Sequence, residues 1–265
     1  MAPFPSPTPT WHSDSYPSIS PTRPELSAQG KAVLVTGGGT GIGAETAMAF
    51  ASAAASRIAL LGRREKPLLA TKASIEEKFP NVEVHVASTD VTDQSQVDVA
   101  FSNFASQKTI DILVSGAATI GPMGSVKDVD SARLLEAVQQ NLEGALFVAQ
   151  PFLRHASEHV VAIDINSSAA HVNFADGFAA EARGVKATGI EDHVSLPAHF
   201  CVWLASPEAQ FLKSKFLWAN WDIDELKANA KEIEGNTQFT NGLVGWPFLA
   251  VDWKATWNPD EGGRD

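Results

Sequence analysis

Tyrosine is almost missing from this chain: Tyr16 is the only one in 265 residues. Cysteine is equally scarce. Cys201 stands alone, which excludes an internal disulfide and suits a reducing compartment. Positive charge is short too, since 20 Lys and Arg against 31 Asp and Glu leave a net charge of −11. That balance argues against general binding to nucleic acid or to acidic membranes, both of them polyanions. No apolar run approaches the roughly twenty residues needed to cross a bilayer. The seven histidines show no metal-ligand spacing, so no metal site is expected. The first residues, MAPFPSPTPTWHSDSYPSISPTRP, have neither the basic start nor the apolar core of a secretory signal. Their proline, serine and threonine content reads as a disordered tail over 1–28, and the simplest address is the cytosol.

What the chain does have, from residue 29 to 265, is the pattern of one large domain with a C-terminal arm. KAVLVTG (31–37), RIALL (57–61), VEVHVAS (82–88), DILVSGAA (111–118) and HVVAIDINSS (159–168) read as five strands. The first is a continuous apolar run, as in a strand covered on both faces. Between them lie helical stretches: GIGAETAMAFASAAA, a segment opened by Pro67 with Leu68, Ile75 and Phe79 facing inward, another marked by Val97, Phe101 and Phe104, and the long SARLLEAVQQNLEGALFVAQPFL. Strand alternating with helix predicts parallel βαβ units, hence an α/β fold with a doubly wound parallel sheet of the Rossmann type. After Ser168 the regularity fails. Residues 182–194 are Gly-rich and polar; LPAHFCVWLASPEA then reads as a helix and KFLWANW as a strand.

TGGGTGIG (36–43) is the strongest motif, because it follows a predicted strand and opens a predicted helix. Gly37 would permit the tight turn, Gly41 the approach of a pyrophosphate to backbone, and Gly43 close packing of helix on strand. The helix N-terminus would offer free N–H groups and partial positive charge to phosphates. Thr36, Gly38, Gly39, Thr40 and Ile42 complete the candidate cradle. Twenty residues on from Gly43, Gly62-Arg63-Arg64 ends the second strand. An acid there would bond the ribose 2′-hydroxyl of NAD; glycine removes it, and Arg63 with Arg64 suits the 2′-phosphate of NADP. The competing explanation is a solvated basic turn.

Together these residues resemble the short-chain dehydrogenase/reductase family in its classical form, over 29–180 and again over about 195–225. The resemblance implies that Asp90 and Val91 contact adenine, that Asn141 holds a water in a proton relay, and that Ser168 polarises a substrate oxygen. FLWANWD resembles the family's last strand. The family's NNAG loop is here Ser115-Gly116-Ala117-Ala118, with Ala117 on the nicotinamide side. Its YxxxK should begin near 181, where the chain has Glu181 and, four residues later, Val185. Ser168 stands only about fifty residues before the candidate last strand. The shortfall against the family pattern has the size of one strand–helix unit, excised between Ala180 and Glu181.

The implied activity is NADP-dependent oxidation or reduction of a carbonyl or secondary alcohol on a small molecule, impaired in this form. The family's tyrosine carries the proton and its lysine lowers the tyrosine pKa. Glu181 with Lys186, or His171, are the nearby titratable groups; their spacing and setting do not reproduce that pair. The alternative is a non-catalytic NADP-binding or scaffold protein, or an incomplete splice or gene-model product. The excised helix would normally pack beside the long helix at the family's dimer interface, so any homo-oligomer is expected to be weakened.

Overall fold

A computed structural model describes residues 6–122, 127–165, 192–236 and 239. Five parallel strands form one sheet: β1 (Ala32–Thr36), β2 (Arg57–Gly62), β3 (Glu83–Ser88), β4 (Ile110–Ser115) and β5 (Ala156–Asp164). Their order is β3-β2-β1-β4-β5, with β1 central between β2 and β4. The order reverses direction at β1, so crossovers leave on opposite faces there and a crevice opens at the carboxyl ends of β1 and β4.

Alternation along the strands builds a core on each face. Val33, Val35, Ile58, Leu60, Ile112 and Val114 pack against α1 (Gly41–Ser52), α2 (Glu65–Lys78) and a late helix, α5 (Ser195–Leu204). Ala32, Leu34, Ala59, Leu61 and Leu113 face α3 (Gln94–Ala105) and α4 (Ser131–His155). The inward residues expected of α2 behave accordingly. Leu68 and Ile75 are buried, and Phe79, just past the helix end, packs on the same core. Asp93 and Asp130 cap α3 and α4 by accepting two backbone N–H bonds each. Only Ile163 of the nine residues of β5 is buried, in contrast to the fully buried β1.

Two expectations are overturned. Residues 6–28 are not a loose tail. Two 3-10 turns, Pro17–Ile19 and Pro24–Leu26, place Ile19 and Leu26 in the core at 0% and 2% exposure. Composition predicted too little apolar surface for folding; the few apolar residues suffice because the rest of the segment bonds to a surface that is already folded. Residues 215–221 form no strand either. Trp221 makes a single antiparallel bridge with Trp11, and Leu217, Trp218 and Trp221 pack on the core beside the N-terminal segment. Strand preference expresses fit to a pleated surface, and here the available surface is that segment rather than a sheet edge. The chain continues through α6 (Ile223–Ala228) and α7 (Ala230–Glu234). Most of the expected C-terminal arm lies outside the described residues.

Candidate dinucleotide-binding cleft

At the crevice the chain leaves β1 through the glycine run. Gly37 adopts φ +74°, and a Cβ there would stand 2.9 Å from the Gly116 carbonyl oxygen. The turn therefore lies directly against the loop that follows β4. Gly43 is tighter still, since a Cβ would fall 2.3 Å from the Gly37 carbonyl oxygen. Gly41 differs: it has φ +56° with open space around the absent side chain. Gly37 thus makes the tight turn and Gly43 the close packing, while Gly41 leaves open space at the cleft. Gly38 backs onto Leu60, with a Cβ position 3.0 Å from that side chain. Thr40 precedes α1 without a side-chain capping bond, and Thr40, Ile42 and Gly43 at the start of the helix line the cleft.

Thr36 sits beneath this loop, buried at the end of β1. Its Oγ1 accepts hydrogen bonds from the Gly116 and Ala117 N–H groups, both at 3.1 Å. One hydroxyl thus ties the glycine turn to the SGAA loop. Beyond that loop, the Asn141 amide closes a two-point clamp on Thr119: Oδ1 accepts the Thr119 N–H at 2.8 Å, and Nδ2 donates to the Thr119 carbonyl at 3.0 Å. The side chain of Asn141 is spent on positioning the loop after β4. A water in a proton relay would have to be held through another of its atoms.

The resulting cleft has a volume of about 410 Å³. It is lined by Gly37, Gly39, Thr40, Ile42 and Gly43, then by Gly62, Arg63 and Arg64, by Asp90 and Val91, and by Ala117 and Asn141. Asp90 is held ionised: the Thr92 N–H and hydroxyl donate to its Oδ1 at 3.0 and 2.8 Å and keep its carboxyl below the usual range, with Arg63 acting in the same direction. Val91 lies under α4, where a Cβ on Gly144 would stand 3.0 Å from its side chain. The Arg63 carbonyl accepts from the Ser88 hydroxyl at 3.0 Å, which fixes the basic turn at the end of β2.

Thr119, Gln140 and Ile165 also line the cleft and were not singled out from sequence. Gln140 is the neighbour of Asn141, but no pattern marked Thr119 or Ile165. Ser168, Glu181, Lys186 and His171 lie outside the described residues. Tyr16 does not line the cleft. Its hydroxyl donates to the Trp221 carbonyl at 3.2 Å and accepts the Ile223 N–H at 3.0 Å, and burial pushes its pKa further up. The only tyrosine of the chain is a structural one.

The family profile described as short chain dehydrogenase matches residues 31–180. The chain belongs to the short-chain dehydrogenase/reductase family. It is 30% identical to the short chain dehydrogenase/reductase AacuD of Aspergillus aculeatus, over 91% of this chain and 98% of that one. It is 32% identical to a short chain dehydrogenase/reductase of Claviceps purpurea, over 91% and 95%. The first alignment spans 282 positions, more than the chain's 265 residues, so that relative carries residues with no counterpart here. The fold is also similar to a putative short chain dehydrogenase from Escherichia coli solved with NADPH, with a TM-score of 0.51 at 22% identity over 61% of this chain and 71% of that one. Among the described residues no helix is long and apolar enough to cross a membrane, and no cluster of side chains could hold a metal.

Proposed function

We propose that this member of an oxidoreductase family binds NADP(H) in the cleft and is impaired in the carbonyl or secondary-alcohol chemistry of a small-molecule substrate. The observation that carries the cofactor reading is the cradle itself. Gly43 and Gly37 pack backbone on backbone, while Gly41 keeps positive φ beside open space, an arrangement that suits a close-lying ligand group. The fit extends along the cleft. The first turn of α1 would take the pyrophosphate, and Asp90 and Val91, which line the same cleft, would meet the adenine. Arg63 and Arg64 stand at the end of β2, where Gly62 leaves no carboxylate to repel a 2′-phosphate. The Escherichia coli relative's bound NADPH is in keeping with this reading.

When bound, NADPH supplies a hydride. This chain's part is to hold the cofactor, orient the loop after β4 through Thr36 and Asn141, and meet the charge that develops on the substrate oxygen. By the family resemblance, Ser168 would donate the hydrogen bond to that oxygen. A serine hydroxyl is too weak an acid to complete protonation near neutral pH, and no Tyr-x-x-x-Lys occurs anywhere in the sequence. Loss of general acid assistance costs ~10²–10⁴ in rate. The extra positions in the AacuD alignment support a segment lost from this form.

Two measurements test the reading. Titration of the chain and of Arg63→Ala with NADPH and NADH should show a preference for NADPH that the substitution removes; an unchanged ratio would dismiss Arg63. Turnover on a carbonyl panel should be at most a trace, and should recover when a strand–helix segment bearing Tyr-x-x-x-Lys is inserted between Ala180 and Glu181. Robust turnover by the unmodified chain, abolished by Glu181→Gln, would instead assign the proton to that carboxylate.

A further inference from the structure

We propose that residues 6–28 are a clasp over α5, and that it opens as a discrete step, unpinning the start of α5 and residues 218–226 while the five-stranded sheet stays folded. The starting point is α5 itself. Seven of its ten residues are buried, Trp203 completely, so the helix is covered nearly all round. A helix apolar on every side must be enclosed to be stable. α1 covers one side, and the N-terminal segment, with the turn at Pro17–Ile19, packs on another.

The segment's catches over residues 10–23 fall on 192–236. Tyr16 makes the first. Its ring stacks on His12 with centroids 3.5 Å apart, and its hydroxyl completes the turn by bonding the Trp221 carbonyl and the Ile223 N–H. His12 Nε2 in turn meets Asp222 at 2.8 Å, and the backbone of His12 exchanges bonds with Asn220. The second catch is a closed ring. Ser18 donates to Asp224 at 2.5 Å; Lys227 joins Asp224 to Glu208; Arg23 donates to Glu208 at 2.7 Å and back to the Ser18 carbonyl at 2.6 Å. The third pins the start of α5, where Asp14 accepts from Ser195 at 2.8 Å and Ser15 pairs with His199 at 2.5 Å.

Past Leu26 the attachment changes partners. The Ala28 N–H donates to the Ala53 carbonyl, and Gln29 bridges to Ala55, both beside the sheet. The clasp is thus hinged on the core at its C-terminal end and fastened to 192–236 along the rest. Most of the catches are side-chain contacts, many at half-exposed positions, whereas β1 and β2 are paired along their whole length. Local openings are drawn from regions fastened in the former way.

The test is native-state hydrogen exchange read by mass spectrometry on the full chain and on Tyr16→Phe. The substitution strands the Trp221 carbonyl and the Ile223 N–H, so exchange in peptides covering 195–204 and 218–226 should accelerate about tenfold or more. Peptides covering β1, β2 and β4 should keep their rates. Equal acceleration of the sheet peptides, or unchanged rates in 195–204, would overturn the clasp. If the variant does not fold, the wild type decides at low guanidinium concentrations. Amides of 195–204 should then exchange through an opening with a shallower denaturant dependence than those of β1. A common slope would mean that only global unfolding exists.

Discussion

Replacing Thr36 by valine removes one oxygen and little volume, which makes it a clean probe of how the glycine turn is joined to the loop after β4. That oxygen accepts two backbone N–H bonds at 3.1 Å each, and the residue is 1% exposed. Valine keeps the branched shape but strands the Gly116 and Ala117 donors. Both loop residues are half-buried, so water can reach part of what is lost, and the cost is set at about 1–3 kcal/mol. For a domain of this size that lowers the midpoint of thermal unfolding by about 3–10 °C. The counter-experiment is Thr36→Ser, which keeps the oxygen and deletes a buried methyl worth about 1 kcal/mol. Thermal unfolding by circular dichroism, with NADPH titration alongside, should rank wild type first, serine next and valine last, and the weakened dinucleotide binding should belong to valine alone. If serine proved more damaging than valine, methyl packing rather than the shared oxygen would hold the two loops together.

Acidification should loosen the clasp before it unfolds the sheet. The carboxyl of Asp14 is lowered by the Ser195 hydrogen bond and that of Asp224 by Ser18 and then Lys227, while at Glu208 burial opposes and Arg23 with Lys227 outweighs it. Depressed carboxyl pKa values give stability that is present above the unfolded values of 3.8 and 4.5 and is lost as pH falls through the lower folded values. His199, pushed down chiefly by burial, adds a loss that begins below its unfolded 6.5. Fluorescence of Trp11, Trp218 and Trp221 should therefore change at higher pH than the far-ultraviolet signal; coincident transitions would count against separate opening. Cys201, buried and pushed up to about 12, should resist alkylation at pH 8 until denaturant is added, and rapid labelling of the native chain would show α5 to be open.

The sheet was legible because its signals are local. Continuous apolar runs such as Val33–Val35, and Val97, Phe101 and Phe104 at helical spacing, specify strand and helix without reference to distant residues. The shape of the glycine loop was legible for the same reason: its glycines, two in close contact and one beside open space, lie within seven residues. Interactions between distant residues were not. Nothing near Asn141 reveals that its amide clamps Thr119, a main-chain group 22 residues away. The N-terminal segment looked unfoldable because most of its partners, from Ser195 to Glu225, come at the other end of the chain. FLWANW carries strand-forming residues, yet its Asn220 is buried and donates to His12 and Asp192. Propensity identified what those side chains prefer, and tertiary contacts determined where they went.

The contact between Gly43 and the Gly37 carbonyl has a consequence for inheritance. Every missense change at codon 43, whatever the nucleotide, adds at least a Cβ, and that atom would lie 2.3 Å from a main-chain oxygen with no flexible side chain to yield. No replacement is mild, because alanine already carries the clash. In a population or a saturation-mutagenesis library, codon 43 should tolerate only synonymous changes wherever the folded chain is under selection. Codon 41, with open space around its glycine but φ +56°, should be graded instead, with asparagine and aspartate the least harmful of the substitutions.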